Sequence, residues 1–162
     1  MINADAAGQQ AVQTLQAAAA ASAQGVIAAA LDALAALPEW PACLLQLLPS
    51  IVKHAACCRD SSAGLEAVSA ADAGGRVQKV LVVVPGDLQA VWSDAQRQAL
   101  LLQLPLPAMQ LLLSSDQLRV PSEDTVLYTA KQYVQAQAGD AAKAAAAKAA
   151  LAQLVCAPQL SP

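Results

Sequence analysis

Large apolar residues recur along most of this chain at helical spacing. Ile27, Leu31 and Leu34 fall at i, i+4 and i+7 and predict a helix that Pro38 stops. A second helix is predicted from Pro38-Glu39-Trp40-Pro41, because a proline in the first turn forfeits no hydrogen bond. Leu44, Leu45, Leu48, Ile51 and Val52 supply its apolar face, and Pro49 is expected to kink or divide it. The pattern lapses over residues 59–75, which are polar, small and glycine-bearing. They predict a loop with a helical turn around Leu65–Val68, and the best internal boundary. Val77, Val80, Leu81, Val83 and Val84 then resume the apolar spacing. The run Val82–Val84 suits a buried strand equally well, but no other segment offers a partner strand, so a helix is expected.

Polar residues at fixed offsets mark where the later helices start. Asp87 predicts a cap for a short helix through Trp92, and Asp94 a cap for Ala95–Leu104, each carboxylate accepting from otherwise orphaned N–H groups. Pro105 and Pro107 open a helix carrying Met109, Leu112 and Leu113, which Ser114-Ser115-Asp116 ends. Leu118 and Val120 are expected to be buried within the connection that follows. Ser122 is the expected N-cap of the next helix, with Glu123 and Asp124 in the first turn, where acids complement the helix dipole. Val126, Ala130, Tyr133 and Val134 trace its buried face, and Gly139 is expected to close it. Asp140 predicts a cap for Ala141–Val155. The sum is an all-α chain of seven or eight short helices in antiparallel hairpins, with no repeat of solenoid length. Residues 1–37, rich in alanine and weakly patterned, are set apart from a helical domain over 38–162.

Composition narrows the function. Of 162 residues, 57% are hydrophobic, 13% charged and 2% aromatic, with no Phe, which favours helices over a β-sandwich or barrel. The net charge is −3 and the nine basic residues are scattered, so neither nucleic acid nor a membrane surface is an expected partner. The apolar stretches Ala17–Leu37 and Ala99–Leu113 contain Asp32 in the one case and Gln103, Pro105, Pro107 and Gln110 in the other, and neither predicts a membrane span. Met1-Ile2-Asn3-Ala4-Asp5 has no basic region of a secretory leader, and Cys43, Cys57, Cys58 and Cys156 show no disulfide framework. A cytoplasmic or nuclear protein with reduced thiols is expected.

Candidate chemistry is sparse. His54 is the one histidine, and with Cys57 and Cys58 at i+3 and i+4 it forms the only nucleophile–base grouping. No metal-ligand spacing accompanies it, and no metal, cofactor or catalytic residue is expected. Glu123 and Asp124 point about 100° apart on a helix and do not converge on one substrate. Gly74-Gly75 lacks the strand and the Lys-Ser/Thr of a phosphate loop. Trp40 and Trp92 read as packing anchors.

One stretch carries more than periodicity. Residues 101–134 read LLQLPLPAMQLLLSSDQLRVPSEDTVLYTAKQYV. Leu104-Pro105, Leu112-Leu113, Ser114-Ser115-Asp116, Leu118-Arg119-Val120, Ser122-Glu123 with Val126, and Tyr133-Val134 follow one another here. This order resembles the BACK domain, the helical module that follows a BTB domain in many BTB and BTB-Kelch proteins. Gly86-Asp87-Leu88 to Trp92 resembles the preceding short helix of that family. Leu154 to Ser161 resembles its closing segment, with Cys156 where an arginine is usual. The likeness covers about residues 40–162; the first forty are not matched well, and the resemblance implies for them the helices joining BTB to BACK. Neither a BTB domain nor Kelch blades are found within these residues, so the chain reads as a BACK-only protein, a fragment or a truncated product.

The resemblance implies a non-enzymatic scaffold among protein partners, one that positions a substrate-binding region relative to a cullin-type ubiquitin ligase. The cullin itself is contacted mainly by the BTB domain. Two other readings stand beside it: a helical interaction domain unconnected with ubiquitin ligation, and a thiol-based redox protein using His54, Cys57 and Cys58.

Overall fold

The computed structural model describes residues 24–35, 42–83 and 87–156, together with residues 10, 13, 14 and 17. Trp40, the two prolines at 38 and 41, and the segment after Cys156 lie outside these residues, as do the side chains of Leu34, Cys43 and Cys156. The described residues are all-α and contain no strand. Nine α-helices follow in order: α1 (Gln24–Ala35), α2 (Ala42–His54), α3 (Leu65–Ala71), α4 (Arg76–Val83), α5 (Leu88–Trp92), α6 (Ala95–Leu102), α7 (Leu106–Leu113), α8 (Glu123–Ala136) and α9 (Ala141–Cys156). Two 3₁₀ turns, Ala56–Cys58 and Ala73–Gly75, precede α3 and α4.

Helix α7 lies at the centre. Pro107, Ala108, Met109, Gln110, Leu111 and Leu112 are all buried, so it has no solvent face, as expected of a helix that is apolar nearly all round. Helices α3, α4 and α9 and the first 3₁₀ turn pack around it. The remaining close pairs are α1 with α4, α2 with α6, α5 with α6, and α8 with α9. Much of each predicted stripe faces this core, whereas Val83 at the end of α4 is exposed. Ile27 and Leu31 of α1, Ile51 and Val52 of α2, Val77, Val80 and Leu81 of α4, and Ala130 and Tyr133 of α8 are buried. Burial at about 25 cal/mol per Å² of apolar surface makes this cluster the main source of stability. Gln110 is the exception in α7, since its buried Oε1 accepts no hydrogen bond among the described residues.

The carboxylate caps form as their spacing predicts. Asp87 accepts from the Gln89 N–H at 2.9 Å, Asp94 from Gln96 at 2.8 Å and Arg97 at 3.3 Å, and Asp140 from Ala142 at 3.1 Å and Lys143 at 3.2 Å.

Five local expectations are corrected. Residues 59–75 hold a full helix, α3, whose Val68 is buried against α7. Of the two effects expected of Pro49, division is excluded, since α2 is continuous from Ala42 to His54. The helix begun by Asp94 stops at Leu102, and Leu104 turns inward as a buried residue of the connection. Ser122 has an extended backbone at the start of α8 but its side chain makes no cap. Its hydroxyl faces that of Thr125 at 3.5 Å, and its carbonyl accepts from the Thr125 N–H at 3.1 Å. Gly139 is not the closing residue of α8, which ends at Ala136 with Gln137 as its cap.

Candidate functional site

The residues of the 104–134 motif form one packed block. Pro105 occupies the N-cap position of α7 with φ −64°, and Leu112 at the far end is fully buried, with Leu113 half-buried. Ser114 turns the chain, its hydroxyl donating to the Leu111 carbonyl at 3.1 Å. The Ser115 N–H donates to Leu112 at 3.3 Å, and the Leu118 N–H returns to the Ser115 carbonyl at 3.1 Å. Asp116 points to solvent, while Leu118 folds back into the core at 8% exposure. Val120 is half-buried against that core, short of the burial its sequence position predicts. The Leu88 N–H donates to the Arg119 carbonyl at 3.2 Å, which fastens this connection to the start of α5.

Helix α8 follows, packed on α9 and α6. Glu123 and Asp124 are exposed in its first turn, and Val126 is half-buried. Tyr133 is buried, and its phenol donates to the Leu104 carbonyl at 2.8 Å, joining the last part of the motif to the first. Val134 is half-buried beside it. Burial pushes the Tyr133 phenol up to about 12. The neutral phenol therefore favours the folded state fully below about pH 10, and that contribution is lost as pH climbs toward 12. Unfolding free energy in urea is expected to fall over this window by about 2 kcal/mol, allowing for solvent screening. Tyr133→Phe is expected to remove that part of the pH slope. An unchanged slope would show that Tyr133 ionises freely.

No family model matches the chain, and no curated protein or solved structure matches it significantly.

Trp92 anchors a second junction. Its indole N–H donates to the Thr129 hydroxyl at 2.8 Å, and that hydroxyl donates to the Thr125 carbonyl at 2.7 Å. The ring also meets Tyr128 edge to face, with centroids 5.1 Å apart. Thr129 is fully buried and pairs α5 to α8, a role that the apolar pattern of α8 does not disclose.

The thiol grouping takes a different form from its expected one. Helix α2 ends at His54, Ala55 is extended, and Cys57 and Cys58 belong to the 3₁₀ turn beyond it. The three residues thus do not share one continuous helix. Both cysteines are free and buried, with Sγ atoms 3.6 Å apart. A hydrogen bond from Cys58 holds the Cys57 thiol below its ordinary value against the opposing effect of burial. The same bond, with burial, pushes Cys58 up. Among the described residues, no group of three or more His, Cys, Asp or Glu is placed to hold a metal, and no helix is long and apolar enough to cross a membrane.

Asp72 is a buried charged residue that the sequence pattern assigns to a loop. Its two carboxylate oxygens accept from the Val77 and Gln78 N–H groups at 3.0 Å each, capping α4. The chain bends to allow this at Gly74 (φ 76°) and Gly75 (φ 63°), a region that a Cβ disfavours. Aspartate followed by a glycine pair before an apolar helix is the one signal that points to this cap. The Gln78 side chain then donates to the Leu111 carbonyl at 3.0 Å, tying α4 to α7.

Proposed function

We propose that the chain is a non-enzymatic protein-interaction module: short antiparallel helical hairpins of the BACK kind, acting as a scaffold within a cullin-type ubiquitin ligase. The observation that carries this reading is the closure of the 104–134 motif on itself through the Tyr133–Leu104 hydrogen bond. The residues that resemble the family's motif are spent on building a rigid joint rather than on presenting reactive groups. Leu104, Leu112 and Leu118 fill its interior, and the Ser114-Ser115-Asp116 turn links α7 to the connection that leads into α8. A scaffold has this distribution of chemistry, with stiffness inside and recognition left to surfaces.

The cullin contact belongs to an adjacent BTB domain in this reading, and the cytoplasm or nucleus is its setting. The test is capture of the tagged gene product from cells, probed for cullin and for its neddylated form. Recovery of cullin is the expected result. A stably folded product that captures no cullin would overturn the ligase assignment. That outcome would favour a helical interaction domain unconnected with ubiquitin ligation, for which the exposed Leu127 (36%) and Tyr128 (49%) on α8 are the relevant surface.

A further inference from the structure

A cleft of about 710 Å³ opens where the end of α2, the turn after Cys58, the α6–α7 connection, the end of α8 and the middle of α9 meet. Its volume falls within the ~300–1,000 Å³ typical of binding clefts. Leu102, Leu104, Leu106 and Ala147 give it an apolar floor. Its charged lining residues are Lys53, Arg59 and Lys143, and among the described residues no carboxylate lines it. A chain of net charge −3 therefore gathers three of its nine basic residues around one concavity.

Two acids neighbour this rim and offset part of its charge without lining the cleft. Asp60, next to Arg59, is turned onto its own loop, where it accepts from the Ser62 N–H at 2.9 Å and the Ser62 hydroxyl at 2.6 Å. Asp140 pairs with Lys143 at 3.3 Å, a solvent-exposed i,i+3 contact of little strength. Lys53 and Arg59 have no ion-pair partner among the described residues.

We propose that this cleft takes an acidic peptide segment of a protein partner, one in which apolar residues punctuate the carboxylates. The three cations share the cleft with an apolar floor. A compact anion such as phosphate would use the cations and leave that floor uncovered. A segment bearing both carboxylates and apolar side chains matches both parts of this surface. Like charges at the mouth of a concave, partly apolar site focus the field and draw an acidic segment in despite the chain's negative total. The proposal rests on the reading of the chain as an interaction module and names the chemistry of one partner. Its test is separate from cullin capture, so either can fail without the other.

The probe is a fluorescein-labelled peptide of alternating Glu and Leu, titrated with the full 162-residue chain and followed by fluorescence anisotropy. Saturable binding is expected, weakening as salt is raised from about 50 to about 300 mM. The double variant Lys53→Glu/Arg59→Glu is expected to weaken it at least about tenfold. The variant Lys131→Glu/Lys148→Glu makes the same charge change in the separate groove between α8 and α9, and is expected to alter binding less than about twofold. All four substituted side chains are exposed, and circular dichroism of each variant verifies that the helices persist. Equal weakening by both pairs would overturn the proposal, because bulk charge would then suffice. So would equally tight binding of a Gln–Leu peptide, absence of saturable binding, or displacement by millimolar inorganic phosphate at constant ionic strength.

Discussion

Replacing Asp72 by alanine is expected to cost about 2–3 kcal/mol, a large effect for a residue in a stretch that reads as loop. The carboxylate is only 7% exposed and accepts two backbone N–H groups of α4, both at 3.0 Å. Its removal leaves the Val77 and Gln78 donors without acceptors, and Val77 is itself buried, so water does not readily take the vacated place. Two penalties combine: loss of a helix cap, about 0.5–2 kcal/mol, and stranding of buried polar groups, about 1–3 kcal/mol. The consequence extends beyond α4, because this helix packs on both α1 and α7 and joins α1 through the Arg76–Asp32 ion pair at 2.7 Å. Urea denaturation followed by helical circular dichroism measures the loss. Asp72→Asn retains one oxygen acceptor and is expected to recover part of it. A change below about 0.5 kcal/mol for the alanine variant, the range of an ordinary surface substitution, would show that the cap carries no stability.

Leu118→Ala is expected to cost about 2–3 kcal/mol, toward the lower end of the range for large-to-small core substitutions. Leu118 lies in the connection between α7 and α8, yet it is buried with the core of the domain. Its burial is fixed by the backbone around it. The Leu118 N–H is bound to Ser115, and the next carbonyl accepts from Leu88, so the turn cannot readily collapse into the space left by the lost methyl groups. A cavity therefore persists, and its cost adds to the lost transfer energy. Val120→Ala is the internal comparison. Being only half-buried, Val120 is expected to show a smaller effect, about 1 kcal/mol. Equal costs at the two positions, or a Leu118 cost below about 0.5 kcal/mol, would contradict the packed-turn geometry.

Both residues show where sequence and structure divide. The apolar stripes of α1, α2, α4 and α8 and the caps at Asp87, Asp94 and Asp140 were legible in the chain because both depend on short-range geometry. A 3.6-residue period sets which side chains share a face. A carboxylate reaches only the N–H groups two or three residues ahead. Ser122 shows the limit of that rule, since the residue stands at the cap position and its hydroxyl turns to Thr125 instead. Leu118 was legible too, as a large apolar residue in a polar connection.

Other features follow from tertiary packing. Helix α3 has too little local pattern to announce itself, and it gains its stability by resting Val68 on α7. Asp72 acts across five and six residues through a bend of two left-handed glycines, beyond the reach of a simple capping rule. Cys57 and Cys58 fall on a 3₁₀ turn because Ala55 is extended and interrupts the helix after His54, which periodicity alone does not disclose. The cationic cleft joins residues as far apart as Lys53 and Lys143, and no window along the chain contains both. Sequence by itself determined that this protein is helical, where most of its helices begin, and many of the residues they would bury, because these are properties of neighbours. Only the tertiary structure decided that α7 is the centre, that Tyr133 reaches Leu104, and that three scattered cations share one concavity, because these depend on how separate helices pack.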